Sequence, residues 1–198
     1  MRRLLVANRG EIAVRILRAA QECGIETVAV YSEADRDAAF VAHADFSRPL
    51  TGVASRDTYL SVPQLLAAAH AAGADAVHPG YGFLSEDADF ARAVEEAGLL
   101  WVGPPPAAMA AMGEKIRARE IMAGAGVPIP PGRCLTPGED PRSAAGAVGY
   151  PLLVKASAGG GGRGMRRVAA PEELRPALES AISEAEKAFG DGTVFLER

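Results

Sequence analysis

A lysine followed by a run of glycines is the segment of this sequence best suited to bind an anion. Lys155 lies at the end of a short apolar stretch, and residues 159–162 are four consecutive glycines. Because glycine has no Cβ, several backbone N–H groups can converge on one anion, and the lysine adds a mobile positive charge. The pattern predicts a phosphate cradle, and the alternative is a floppy hairpin tip or linker.

Two common phosphate-binding motifs do not describe this loop. Residues 159–164 match G-x-G-x-x-G, but that fingerprint opens a helix, whereas residues 165–168 are predicted to be extended. A Walker A loop is excluded because no Gly-Lys-Ser or Gly-Lys-Thr follows. The remaining prediction is a flexible hairpin lid over a nucleotide, as in kinases that place glycines between two strands.

The other lysines and the last acid are less informative by themselves. The sequence has three lysines among its 21 basic residues, and an ammonium and a guanidinium are not interchangeable at a phosphate. Lys115 and Lys187 lie in predicted helices, where the default role of a lysine is a solvated i,i+4 partner. Glu197 ends the last predicted strand, where a lone acid is usually solvated. The residues alone assign none of these three to a site.

The loop at residues 78–86 is the second candidate. It follows a predicted strand on its carboxyl side, the edge where open α/β sheets bind ligands, and it carries two glycines, an aromatic ring and an acid. The alternative is a capping turn, with Ser85 as N-cap, Glu86 at the positive end of the helix and Phe83 packed on the helix. Both roles can coexist. His78 is disfavoured as a metal ligand because no second ligand stands nearby.

Composition excludes several classes of protein. The 198 residues are 48% hydrophobic and 23% charged, as in an ordinary α/β protein. The formal net charge of −4 offers no basic surface for nucleic acid, and no apolar run approaches the roughly 20 residues of a membrane span. Cys23 and Cys134 lie far apart, which favours reduced thiols. We expect a cytoplasmic protein with no nucleic-acid or membrane partner, and Met1 leads into a strand rather than a signal peptide.

These residues need elements that position them, and the hydrophobic pattern supplies a candidate set. Strands are predicted at 4–7, 27–31, 74–78, 99–102, 151–156, 165–169 and 193–197, with helices at 11–22, 61–73, 87–97, 107–123 and 171–189. In the first half, strands and helices alternate with short turns, which predicts a parallel sheet covered by helices. The Gly- and Pro-rich passage 124–141 is typical of a boundary between folding units. A domain that stops on a strand is expected to be incomplete.

Four segments together give the sequence a specific resemblance. Residues 6–13, 78–86, 112–115 and 155–165 occur in this order in biotin carboxylases, a family of the ATP-grasp superfamily. The resemblance implies an α/β chain with a Rossmann-like, parallel-sheet pre-ATP-grasp domain at 1–111. The beginning of an ATP-grasp domain with its α+β lid follows at 112–198, truncated. Ala158 stands where many members carry another glycine, which stiffens the entrance of the lid slightly.

The resemblance also implies which residues meet ATP. Lys115 and Lys155 match the lysines that hold the ATP phosphates. Gly161 and Gly162 match the lid glycines that close over the nucleotide, and Glu197 matches the acid at the adenine end of the pocket.

A second set of residues matches the other substrates and the oligomer. Tyr81, Gly82 and Glu86 match the loop that lines the biotin and bicarbonate side. Arg18 and Glu22 match a helix face used in the dimer of some members, although as an i,i+4 pair they can instead bridge each other.

The resemblance implies ATP-dependent carboxylation of biotin on a carrier protein, through carboxyphosphate formed from bicarbonate. The family's Mg²⁺-binding glutamates, its base for bicarbonate and its arginine near biotin correspond to positions beyond Arg198. We therefore expect no catalytic residue within these residues and an N-terminal fragment that does not turn over alone. The implied partners are a biotinylated carrier protein or domain, a carboxyltransferase component such as that of acyl-CoA, pyruvate or urea carboxylases, and further copies in a homo-oligomer.

Two alternatives stay open at this point. The chain could be a noncatalytic nucleotide-binding or assembly module. It could also be another ATP-grasp ligase, such as a carbamoyl-phosphate or purine-pathway enzyme. The joint presence of the turn at residues 8–11 and the loop at 78–86 argues against the second alternative.

Overall fold

The apolar stretches of the sequence form two sheets in the structure, which is a computed structural model. It describes residues 1–113, 115–135, 139–156, 165–190 and 192–198. The chain divides into two compact units, Met1–Ala110 and Ala111–Arg198. Among the described residues, no helix combines the length and the apolar character needed to cross a lipid bilayer.

The first unit is built on a parallel sheet. Its strands are β1 (Arg3–Val6), β2 (Glu26–Tyr31), β3 (Phe46–Pro49), β4 (Ala76–His78) and β5 (Leu100–Trp101). The order across the sheet is β3-β2-β1-β4-β5, and all neighbouring strands run parallel. The helices are α1 (Gly10–Glu22), α2 (Ala39–His43), α3 (Val62–Ala71) and α4 (Ala88–Glu96), and α5 (Pro106–Gly113) begins in this unit after β5 and ends in the second unit. The predicted parallel sheet with covering helices is confirmed.

Helices cover both faces of this sheet, which explains why β1 is apolar after Arg3. Alternate side chains of a strand point to opposite faces. Leu5 belongs to the apolar cluster that includes Phe90 of α4, whereas Leu4 belongs to the cluster that includes Leu17 of α1. Burial of a side chain of this size contributes roughly 1.5–3 kcal/mol relative to exposure. Strands buried on both faces read as continuous apolar runs.

The second unit contains an antiparallel sheet. Its strands are β6 (Gly132–Cys134), β7 (Leu152–Ala156), β8 (Arg166–Val168) and β9 (Val194–Glu197), in the order β6-β9-β7-β8. Its helices are α6 (Lys115–Gly124), α7 (Pro141–Val148) and α8 (Leu174–Phe189). Alternate residues of the two central strands, Val154 of β7 and Leu196 of β9 among them, face one side of the sheet. They form a core with apolar residues of α7 and α8, which include Ala145 and Leu178.

Four elements differ from the sequence-based predictions. The elements α2, β3, β6 and α7 were not predicted. Among the strands that the structure describes, the edge strand β3 pairs only with β2; it is partly exposed, so it lacks the apolar run of a buried strand. The passage 124–141 contains β6, which pairs with β9, so it lies inside the second unit instead of marking a boundary.

Candidate functional site

Lys155 and Glu197 lie on neighbouring strands and face the same side of the antiparallel sheet. In the register of β7 and β9, Leu153 is opposite Glu197 and Lys155 is opposite Phe195. Because side chains alternate along a strand, these four residues point away from the core formed with α7 and α8. The Lys155 ammonium donates a hydrogen bond to Glu197 Oε2 and forms an ion pair with it. Two residues predicted for the nucleotide site are thus in direct contact.

A third charged residue, Arg119 of α6, completes this cluster. Its Nη1 donates to Glu197 Oε1 at 2.9 Å, and Nη2 donates to the carbonyl oxygen of Pro130. The guanidinium carbon lies 4.7 Å from the centre of the Phe195 ring, a cation–π contact. The side chains of Arg119, Lys155 and Glu197 are only 17%, 22% and 16% exposed. Two cations therefore share one carboxylate in a partly buried place.

The sequence analysis did not single out Arg119. One signal was present in the sequence: Arg119 follows Lys115 by four residues, the spacing of neighbouring positions in a helix. The other signal, its partner Glu197, is 78 residues away in sequence.

A cavity of about 320 Å³ adjoins Arg119, between α6 and the sheet. Its lining includes the apolar side chains of Ile116, Ile129 and Phe195. Gly132 allows the Phe195 ring to approach, since a Cβ at this position would lie 2.5 Å from the ring. Packing against Gly132 thus fixes the ring on which the guanidinium rests.

Three other residues predicted for the ATP side are not tested by the geometry. Lys115 is the first residue of α6, but its side chain lies outside the described part of the chain. Gly161 and Gly162 fall in residues 157–164, which also lie outside the described residues. The strands on either side of them, β7 and β8, form the predicted hairpin by antiparallel pairing. The roles of all three residues stay predictions.

In the first unit, the turn after β1 is hydrogen-bonded to the loop after β4. Asn8 is buried, and its Nδ2 donates to the carbonyl oxygens of Pro79 at 2.7 Å and Tyr81 at 2.8 Å. Gly80 has a φ of +68°, and a Cβ there would lie 2.8 Å from Asn8 Nδ2. The Tyr81 hydroxyl donates to the Glu11 carboxylate, which raises the pKa of the phenol. The loop is therefore fixed at residues 79–81 by the turn.

The residues predicted for the biotin and bicarbonate side lie on this loop. Tyr81, Gly82 and Glu86 are all exposed, at the carboxyl edge of the parallel sheet. His78 is half-buried, and burial lowers its pKa. Its Nδ1 accepts a hydrogen bond from Gly80 N at 3.0 Å, which places the proton of the neutral ring on Nε2.

The capping interpretation of this loop needs correction. Asp87, not Ser85, is the N-cap of α4, because its Oδ1 accepts from the backbone N–H groups of Asp89 and Phe90, each at 2.9 Å. Phe83 does not pack on α4 as expected but stacks on Tyr59, with ring centres 5.3 Å apart. Asp87 lies two residues nearer to α4 than Ser85, so its carboxylate can accept from both of these backbone N–H groups.

An ion pair between the half-exposed Arg9 and the buried Asp35 anchors the other side of the turn after β1. Arg9 donates to Asp35 through Nε at 2.7 Å and through Nη2 at 2.5 Å. The Tyr59 hydroxyl donates to Asp35 at 2.6 Å, and Ser32 Oγ donates to it at 3.2 Å. The hydrogen bonds from Arg9 hold the pKa of Asp35 at about 2, and burial raises that of Tyr59. The turn is thus held by Asn8 on one side and Arg9 on the other.

The helix face assigned to a dimer has different contacts from the expected i,i+4 bridge. Arg18 donates to His43 Nε2 at 3.2 Å, while His43 Nδ1 donates to the carbonyl oxygen of Ala39 at 2.8 Å. Glu22 is exposed at the end of α1. Over the described residues, no cluster of three His, Cys, Asp or Glu side chains suited to a metal ion is present.

Comparison with known proteins finds matches along nearly the whole chain. The family model described as "Biotin carboxylase, N-terminal domain" matches residues 1–109. The model described as "Carbamoyl-phosphate synthase L chain, ATP binding domain" matches residues 114–198. Biotin carboxylase 1 of Bacillus subtilis is 50% identical over 200 residues, covering 100% of this chain and 44% of that protein.

Two solved structures are similar throughout. A biotin carboxylase beta-gamma-ATP complex from Campylobacter jejuni has a TM-score of 0.93 and 45% identity, covering 100% of this chain and 45% of that one. The biotin carboxylase domain dimer of the Hydrogenobacter thermophilus 2-oxoglutarate carboxylase, with MgADP, ADP and bicarbonate, has a TM-score of 0.89 and 47% identity. That match covers 99% of this chain and 44% of that one.

These proteins are longer than this chain, which spans about 44% of the Bacillus relative. The N-terminal family model alone covers more than half of the chain. The chain therefore belongs to the biotin carboxylase family.

Proposed function

We propose that this chain is the N-terminal portion of a biotin carboxylase, which uses ATP and bicarbonate to carboxylate biotin on a carrier. Residues 1–111 would form the pre-ATP-grasp domain, and residues 112–198 the start of the ATP-grasp domain. The structural observation that supports the proposal best is the Lys155–Glu197–Arg119 cluster, since it holds a lysine that directly precedes the glycine-rich segment, on the sheet face opposite the core formed with α7 and α8. The ATP analogue and MgADP in the similar structures agree with it.

In the proposed reaction, a bicarbonate oxygen attacks the γ-phosphorus of ATP, and the bond to the ADP oxygen breaks. The resulting carboxyphosphate releases CO₂ and phosphate, and the ureido nitrogen of biotin attacks the CO₂ as its proton passes to the released phosphate. Lys115 and Lys155 would neutralise phosphate charge as it develops, because fixed cations stabilise such charge strongly in a site that excludes water. The lid, with Gly161 and Gly162, would exclude water from the labile intermediate.

The remaining predicted residues would bind the adenine of ATP and the substrates biotin and bicarbonate. Glu197 would accept hydrogen bonds at the adenine end. Tyr81, Gly82 and Glu86 would line the biotin and bicarbonate side, on a loop that Asn8 holds in place.

The described residues do not fit Mg²⁺, the ion that accompanies ATP. Glu197, the acid of the nucleotide cluster, is already bonded to two cationic side chains. A divalent hard cation needs oxygen ligands free of such partners. What this chain contributes to the proposed site is therefore positive charge and positioning. Partners of the whole enzyme would be a biotinylated carrier, a carboxyltransferase component and further copies of the chain, in the cytoplasm.

A second candidate is a noncatalytic assembly module. The observation that favours it is the same ion pair, because Lys155 has a carboxylate partner within the chain itself. A purely structural lysine of this kind would not contribute to ATP affinity.

Calorimetric titration with ATP distinguishes the two candidates. We expect the wild-type chain to bind ATP and Lys155→Ala to bind at least about tenfold more weakly, since a charge-assisted phosphate contact is lost. Lys187→Ala, at an exposed position on α8, is the matched control and should bind like the wild type. Equal binding by Lys155→Ala, or no binding by the wild type, favours the assembly module. Bicarbonate-dependent ATP hydrolysis should be absent in each case.

A further inference from the structure

The two cations that share Glu197 are held very differently. Arg119 is fixed by three contacts: a carboxylate oxygen of Glu197, the carbonyl oxygen of Pro130 and the face of the Phe195 ring. Lys155 reaches the other carboxylate oxygen through a single ammonium at the end of a flexible stem. A guanidinium is a rigid fork, whereas an ammonium is a mobile point charge. Arg119 is therefore the stationary member of the pair and Lys155 the movable one.

The environment of the Glu197 carboxylate sets the free energy that is needed for the Lys155 ammonium to leave it. Glu197 is 16% exposed, so its charge would be poorly solvated if its only cationic partner left. When Lys155 leaves Oε2 of Glu197, the hydrogen bond from Arg119 to Oε1 remains. The presence of a second cation also weakens the hold of Glu197 on Lys155, because two positive charges compete for one negative charge.

We propose that Arg119 is a positioning residue of the nucleotide site: it keeps Glu197 in place and neutralised, so that Lys155 can leave the carboxylate for a phosphate. This inference rests on the proposed nucleotide-binding function. It assigns to Arg119 no contact with the nucleotide. Its role is to act through Glu197 on the availability of Lys155.

Chemical labelling of lysine tests this directly, because the chain has three lysines that mass spectrometry can quantify separately. The Lys155 amine must leave Glu197 before it can react with acetic anhydride, and Lys187 in the same molecule is the internal reference. In Arg119→Met, Glu197 is left to Lys155 alone. Lys155 should then be labelled at least about threefold more slowly, a factor in line with partly exposed ion pairs.

Two further variants control the result. Arg117→Met removes an exposed arginine from the same helix and should leave the labelling of Lys155 unchanged. Arg119→Lys restores the charge without the planar fork, so it should return the labelling rate part of the way to the wild-type value. Circular dichroism establishes whether each variant is folded. If Arg119→Met does not fold, the labelling of Lys155 is compared between Arg119→Lys and the wild type instead, and it should be slower in Arg119→Lys.

Adding ATP gives the second measurement. ATP should protect Lys155 in the wild type, and half-protection of Arg119→Met should need about tenfold more ATP, in keeping with a charge left unpaired. Unchanged or faster labelling of Lys155 in Arg119→Met overturns the inference, whether or not ATP protects the wild type. If Arg119→Met slows labelling but ATP never protects Lys155, the competition for Glu197 stands. In that case the nucleotide-binding function is wrong, and the role of Arg119 in it is overturned too.

Discussion

The side-chain amide of Asn8 donates to the carbonyl oxygen of Tyr81 at 2.8 Å, so the turn after β1 holds the loop after β4. The same amide nitrogen donates to Pro79 at 2.7 Å, and Asn8 Oδ1 accepts from Arg9 N at 2.9 Å. All hydrogen-bonding atoms of this buried side chain are thereby engaged. The exposed loop that carries the predicted biotin-side residues therefore depends on a residue beneath it.

Asn8→Ala should destabilise the first unit by about 1–3 kcal/mol, because two carbonyl oxygens lose their donor in a buried place. Urea unfolding, followed by the fluorescence of the single tryptophan, Trp101, measures this in the unit concerned. Glu22→Gln, at an exposed position of α1, is the control and should have the wild-type midpoint. A midpoint for Asn8→Ala equal to that of the control would contradict the structural role of Asn8.

Gly80→Ala tests the close approach of Asn8 from the opposite side. A Cβ at Gly80 would meet Asn8 Nδ2 at 2.8 Å, and the φ of +68° adds backbone strain of about 1–2 kcal/mol for any residue with a Cβ. In the Asn8→Ala background the contacts with Nδ2 and Cγ are absent, whereas the contact with the Cβ of residue 8 at 3.2 Å and the backbone strain remain. The substitution should thus cost less in that background than in the wild type, as measured by a double-mutant cycle of unfolding free energies. Identical costs in both backgrounds would show that Asn8 does not limit the space at Gly80.

The ion pair of Arg9 and Asp35 predicts how stability depends on pH. The pKa of Asp35 is about 2 in the folded chain, against 3.8 for the unperturbed group. A lowered pKa stabilises the fold above the unfolded value, and this contribution is lost as the pH falls from about 4 through 2. The loss should be about 2 kcal/mol, from the size of the shift.

Asp35→Asn is the variant that isolates this effect. Its unfolding free energy should be lower than that of the wild type at pH 5, and it should fall less between pH 4 and pH 2. Tyr59→Phe keeps the ion pair, so it should retain most of the pH dependence while losing about 1–3 kcal/mol above pH 4, because the hydroxyl that donates to Asp35 and accepts from Ser32 N is removed. If Asp35→Asn retains the full wild-type slope below pH 4, another carboxylate is responsible.

The elements that could be predicted from the sequence are those with a complete local signal. The stretch containing Leu4 and Leu5 is apolar throughout because both faces of the sheet are covered, so its strand could be found. The signal for α7 was also present, as Asp140 caps the helix and Pro141 occupies its first turn. It was outweighed by the density of glycine and proline around it. The edge strand β3 had no such signal because it is partly exposed.

The residues of the candidate site also differ in whether a local sequence signal could identify them. Lys155 and Glu197 could be selected by their matches to a family, but their contact depends on the register of β7 and β9, which no local pattern specifies. Arg119 was not selected, because its spacing of four residues from Lys115 is a weak signal and its contacts with Glu197 and Phe195 depend on the fold. Local sequence indicates which residues are available, whereas strand pairing decides which of them meet.

The position of the Lys155 ammonium in a crystal structure of this chain with a nonhydrolysable ATP analogue tests the central claim most directly. The account predicts that Nζ leaves Glu197 and lies within hydrogen-bond distance of a phosphate oxygen, while Arg119 still holds the Glu197 carboxylate. A nucleotide bound elsewhere, with Lys155 still paired to Glu197, would contradict it.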